Sequence, residues 1–187
     1  GESWELLTDG RNGIPADHWV RVVREDPAVE GLLYAGTEFG VFVSFDDGDR
    51  WQPLQTNLPT TPITDLAIQP RRGDLVVATQ GRSFWVLDDL TPLRELAADP
   101  VVSGARLFTP RDAARGGGYP PLNEVDPRFP DRLPMGALLH YAIAADADGA
   151  DAGAAADGHA AAGDDDDDAL PGLRMEVLDD EGRVLAR

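Results

Sequence analysis

The chain has 187 residues, 42% of them hydrophobic, which is enough for one large or two small domains with a real core. Its 34 acidic residues against 16 basic ones leave a formal charge of -18 and exclude a nucleic-acid binder, because phosphate contacts need a basic surface. With no cysteine, a disulfide framework and a thiolate metal site are excluded as well.

Every basic residue is Arg and none is Lys, a pattern that fits either a GC-rich coding bias or a salt-adapted surface. No run approaches the roughly 18 apolar residues of a membrane span. The first residues, GESWELL (1–7), resemble GDRWQPL (48–54), so that Gly1 answers to Gly48 and Trp4 to Trp51 at a displacement of 47 residues. A blade of a β-propeller repeats at about 40–50 residues. The chain is therefore expected to open inside a repeat whose first part is missing.

Short β-branched and aromatic runs punctuated by Gly, Pro, Asn and Asp predict strands at residues 19–24, 32–36, 41–45 and 51–55. A second unit is predicted at 63–69, 75–79 and 83–87, followed by a short helix near 92–97 and a fourth strand at 105–109. The two units align with each other. LYAGTEFGVFVSFDD (33–47) lies over VVATQGRSFWVLDD (76–89) with one gap, pairing Thr37 with Thr79 and Asp46 or Asp47 with Asp88 and Asp89. Four antiparallel strands per unit make a propeller blade, so the fold class is all-β.

Between the third and fourth predicted strands stands SFDDGDRW (44–51), which fits Ser-x-Asp-x-Gly-x-x-Trp through Ser44, Asp46, Gly48 and Trp51. These residue types suit a hairpin corner: Ser and Asp side chains bond nearby amides, Gly takes positive φ, and Trp fills space between sheets. A structural corner is the reading adopted here, and no catalytic residue is assigned. The pattern is that of the Asp-box, or BNR repeat, and residues 1–110 resemble the closing blades of sortilin-like and BNR-repeat glycosyl-hydrolase-like proteins. That resemblance implies a secreted or periplasmic location and a central channel that binds a peptide, protein or glycan. This part of the chain would be mainly architectural. The alternative it implies is a glycoside hydrolase, xyloglucanase- or sialidase-like, whose catalytic carboxylates lie outside the chain.

Strand direction alternates, so the turns after second and fourth strands share one face. In sialidase-type propellers that face carries the ligand. The resemblance thus makes Glu38 and Arg82, in corresponding turns, the candidate ligand-facing residues, together with Gln80 and His18. The related proteins usually have His where this chain has Gln80. A carboxylate and a guanidinium can bind sugar or peptide groups by charge-assisted bonds, although turn decoration is the simpler reading of both.

Residues 111–134, rich in Pro and Gly, read as a linker. Residues 135–187 are expected to begin an immunoglobulin-like β-sandwich, with a strand at 137–144 and a hairpin at 173–185 turning at 180–182. The Ala/Asp/Gly segment 145–172 between them has no apolar face and is expected to be a disordered insertion. The run Asp164 to Asp168 lacks the alternating ligands and Gly turn of a calcium loop, and the three histidines, His18, His140 and His159, are scattered. Neither a metal nor a cofactor is assigned, and the oligomeric state is left open.

Overall fold

The structure is a computed structural model that describes Leu6, Thr8 and residues 10–113, 137–144, 177–178 and 183–186. Gly1–Gly153 form one compact unit and Ala154–Arg187 another.

The first unit begins with a four-stranded antiparallel meander, β1 (Val20–Glu25), β2 (Leu33–Thr37), β3 (Val41–Ser44) and β4 (Gln52–Pro53), in that spatial order. A three-stranded meander follows: β5 (Ile63–Gln69), β6 (Asp74–Thr79) and β7 (Phe84–Leu87). All seven coincide with predicted strands to within a few residues, because short β-branched and aromatic runs bounded by Gly, Pro, Asn and Asp favour extended chain. The chain is thus mostly β with antiparallel sheets.

The two sheets pack face to face. Val22, Tyr34, Val41 and Val43 of the first meet Ile63, Leu66, Leu75 and Val77 of the second in one buried cluster. Each fully buried Leu or Ile there contributes about 1.5–3 kcal/mol by leaving water. Gly36 on β2 makes the close approach of β5 feasible, since a Cβ there would sit 2.6 Å from Ile63 Cγ2 and 2.7 Å from Val22 Cγ1. The opposite face of the first sheet is also covered: Leu33, Ala35, Phe42 and Trp51 form a second cluster with Ile14. The outer face of the second sheet, turned away from the first, is open, with Phe84 73% and Val86 52% exposed.

After β7 the chain turns into α1 (Thr91–Ala98), with Pro92 in its first turn, where a missing N–H costs nothing. The helix is fastened to the first sheet. Arg94 Nε donates to both carboxylate oxygens of Asp26 at 3.1 and 3.0 Å, and the Tyr34 hydroxyl donates to the same carboxylate at 3.4 Å. Leu93 and Ala97 pack against the main cluster.

The predicted fourth strand at 105–109 needs correction. Its core, β8 (Ala105–Leu107), pairs not with β7 but antiparallel with β9 (Tyr141–Ile143), in the register Ala105↔Ile143, Arg106↔Ala142 and Leu107↔Tyr141. The reason is α1, which carries the chain away from the β7 edge before residue 105 is reached. In the second unit β10 (Val177–Leu178) pairs antiparallel with β11 (Val184–Ala186), a hairpin as predicted, although its turn at 180–182 lies outside the described residues. The expected insertion at 145–172 and most of the linker at 111–134 also lie outside them.

Candidate functional site

The corner at 44–51 is held by hydrogen bonds within itself and tied to Asn12 and Gly31 outside it. Ser44, fully buried, donates from Oγ to Asp46 Oδ1 at 2.9 Å and accepts from the Gly48 amide at 2.9 Å and the Asp46 amide at 3.4 Å. Asp46 Oδ1 also accepts from the Arg50 amide at 2.8 Å. Asp47 and Gly48 both take positive φ, 57° and 95°, which reverses the chain. Trp51 then enters the second cluster, 5% exposed. With its Oδ1 engaged by a hydroxyl and an amide of the same turn, Asp46 holds the corner together.

The second sheet ends in a corner of partly similar form. Asp89 takes φ 63° where Asp47 takes 57°, and its Oδ1 accepts from the Thr91 amide at 3.1 Å. Both corners are tied to the preceding turn, the first through the amide of Asp47 itself, which donates to Gly31 O at 3.0 Å, the second through the residue after Asp89, the Leu90 amide donating to Gly73 O at 2.7 Å. Gly31 and Gly73 both have positive φ, 78° and 67°.

At the opposite end of the sheets lie the two turns expected to face a ligand, and they too repeat one device. Thr37 Oγ1 accepts from the Phe39 and Gly40 amides at 3.1 and 3.2 Å and donates to Gly40 O at 3.0 Å. Thr79 Oγ1 accepts from the Arg82 amide at 3.1 Å and donates to Ser83 O at 2.7 Å. The threonines therefore rigidify both turns.

Each predicted site residue has a definite place in this frame. Glu38 forms an ion pair with Arg21, its Oε1 2.5 Å from Nη2. His18 stacks on Phe39 with ring centroids 4.3 Å apart and meets Phe42 edge-on at 6.0 Å, while its buried Nδ1 finds no partner among the described residues. Gln80 is held by its backbone, its amide donating to Pro62 O at 2.8 Å and its carbonyl accepting from Thr61 Oγ1 at 3.4 Å. The Arg82 carbonyl accepts from Trp85 Nε1 at 2.9 Å, and its guanidinium forms no ion pair among the described residues. The turn thus gathers Glu38, Phe39 and His18 on the first sheet, and Gln80 and Arg82 on the second. No hydrogen bond joins Glu38 to Arg82.

A polar cluster that sequence reasoning missed lies at the corner end. Asp74, 7% exposed, accepts from Arg111 Nη1 at 2.7 Å, Arg72 Nε at 3.2 Å and the Asp89 amide at 3.1 Å. Burial, and then the Asp74 charge, push the Asp88 carboxyl above the usual range. His140 Nε2 stands 3.9 Å from Asp89 Oδ2. Only the doublet Asp88-Asp89 offered a sequence signal, through its alignment with the first corner. Among the described residues no group of His, Asp or Glu is arranged to hold a metal ion, and no helix is long and apolar enough to cross a membrane.

Neither a family model, nor a curated protein, nor a solved structure matches this chain.

Proposed function

We propose that the two sheets are adjacent blades of an Asp-box β-propeller and that the end bearing the 37–40 and 79–82 turns receives a ligand that carries a carboxylate, on a peptide, a protein or a glycan. The blade reading rests on the repeated corner and repeated threonine turn, on face-to-face packing of successive meanders, and on a second sheet whose outer apolar face stands uncovered. The ligand reading rests on one observation above all, an Arg82 guanidinium without an ion-pair partner among the described residues, beside a backbone already locked by Thr79. A guanidinium fork fits a carboxylate through two parallel bonds, and prior ordering of the turn lowers the entropy cost of binding. The proposal extends to a secreted or periplasmic setting and to a β-sandwich built from residues 135–187.

The test is titration with a peptide bearing a free C-terminal carboxylate and with a uronic-acid oligosaccharide, followed by amide chemical shifts. Shifts confined to residues 37–40 and 79–82 are expected for at least one of them, with at least roughly tenfold weaker binding in Arg82→Ala, the loss of a charge-assisted, two-bond contact. Shifts elsewhere, or an Arg82→Ala chain that binds as tightly, would overturn it.

A further inference from the structure

Three carboxylates, Asp74, Asp88 and Asp89, lie together at the corner end of the second sheet, with the guanidiniums of Arg72 and Arg111 among them. Both guanidiniums serve one acid. Arg111 Nη1 reaches Asp74 Oδ1 at 2.7 Å, and Arg72 Nε reaches Asp74 Oδ2 at 3.2 Å. The Asp89 side chain is 3% exposed; its Oδ1 accepts from the Thr91 amide, and its Oδ2 faces His140 Nε2 at 3.9 Å. That nitrogen is buried and makes no hydrogen bond among the described residues. With all three acids ionised, the charges here balance only when the imidazole carries a proton. The Asp88 carboxyl, raised by burial and then by Asp74, feels the same excess of negative charge.

His140 stands at the start of β9, where its carbonyl accepts from the Phe108 amide at 3.0 Å. β8 and β9 form a two-stranded ribbon whose strands are attached to the rest of the unit differently. On the β8 side, Arg106 donates to Asp99 O at 2.6 Å and to Glu95 O at 3.3 Å, and Arg111 donates to Asp74. Guanidiniums stay charged throughout. On the β9 side, the one charged contact of the described residues 137–144 is that of His140 with Asp89. Apolar burial adds little to it, since Tyr141 and Ile143 are each 48% exposed.

We infer that a proton on His140 latches β9 to the second sheet through Asp89, and that the ribbon loosens when the proton is lost. Imidazoles as a class change charge between about pH 5 and 8. The attraction exists only while the ring is charged, so the stabilisation is present at the acid end of that range and fades as pH rises through it. Above it, Asp89 keeps the Thr91 amide while its Oδ2 faces a neutral ring. The latch lies at the corner end and does not depend on what the ligand-facing turns bind.

Amide hydrogen exchange of the full chain from pH 5.5 to 8, corrected for the intrinsic rate, tests it. Protection of the ribbon amides, Phe108 and Ala144 among them, is expected to fall about two- to fivefold over that range, the scale of a partly exposed ion pair, while β2 and β6 show no such step. His140→Gln and Asp89→Asn should each remove the step and leave protection at its alkaline level. Asn retains an oxygen for the Thr91 amide and tolerates the positive φ at this position. Asp88→Asn should leave a step in place. Ribbon protection that does not change with pH overturns the inference. So does a step that survives His140→Gln or Asp89→Asn, or one that Asp88→Asn abolishes, which would assign the proton to Asp88.

Discussion

Ser44 shows how one hydroxyl organises a corner. It has no access to water, and its Oγ satisfies the amides of Asp46 and Gly48 while donating to Asp46. Ser44→Ala strands the Gly48 amide in the interior and is expected to cost about 1–3 kcal/mol, the penalty for a buried group left unpaired. Asp46→Asn keeps an oxygen that can accept from Arg50 and should cost less than Ser44→Ala. Urea unfolding of the two variants gives the order, and an Asp46→Asn chain less stable than the Ser44→Ala chain would mean that carboxylate charge, not amide satisfaction, holds the turn. Gly36 makes a separate residue-scale demand. A methyl group there meets β-branched Ile63 and Val22, which cannot swing aside, so Gly36→Ala should destabilise by about 1–3 kcal/mol through overpacking. Unchanged stability would mean that the sheets slide apart freely.

Among the elements, α1 owes its position to a buried pair. The Asp26 side chain has no exposure and Arg94 is 20% exposed, so removing one partner leaves an uncompensated charge. Arg94→Ala is expected to lose about 3 kcal/mol, and adding Asp26→Asn should recover part of that loss. A double variant no more stable than the single one would show that the cost lies in packing. Tyr34 touches the same carboxylate, and burial, followed by the Asp26 charge, raises its phenol above the ordinary value. The folded form then keeps a proton that the unfolded form releases above about pH 10, so stability falls as pH rises through that region. Tyr34→Phe should flatten this alkaline limb of a stability-against-pH curve; a slope unchanged in Tyr34→Phe would assign it to another group. The strands themselves were legible, because alternation in VRVVRE and ITDLAIQ records which face is buried. The corner residues were legible too, since their chemistry is local. Illegible were the contacts across long separations: Asp26 and Arg94 lie 68 residues apart, and the three-residue β8 carries nothing in ARL that specifies β9 over β7. Arg21, the partner of Glu38, was likewise hidden, because a register set by a β-bulge between Val20 and Val22 brings it there.

For the whole molecule the governing quantity is a charge of -18. Ion pairs such as Arg21–Glu38 and Arg24–Asp65 offset some of it, yet exposed pairs contribute only about 0–1 kcal/mol each and weaken in salt. Repulsion among the remaining carboxylates acts over the whole chain and weakens in salt as well, with the opposite sign for stability. The screening length falls from about 30 Å at 0.01 M to about 3 Å at 1 M, so distant repulsion is removed before close pairs are lost. Tm should therefore rise by several degrees between these limits, where about 1 kcal/mol corresponds to roughly 2–4 °C for a chain of this size. Nine aspartates fall within residues 145–172 with no Arg among them, which makes that segment the place to separate the two causes. Replacing Asp164 to Asp168 by Asn should shrink the salt dependence if charge in that segment bears on the sheets, and leave it intact if the repulsion arises within residues 10–113. A Tm that falls with added salt would show instead that the ion pairs, Arg94 with Asp26 foremost, outweigh the excess negative charge.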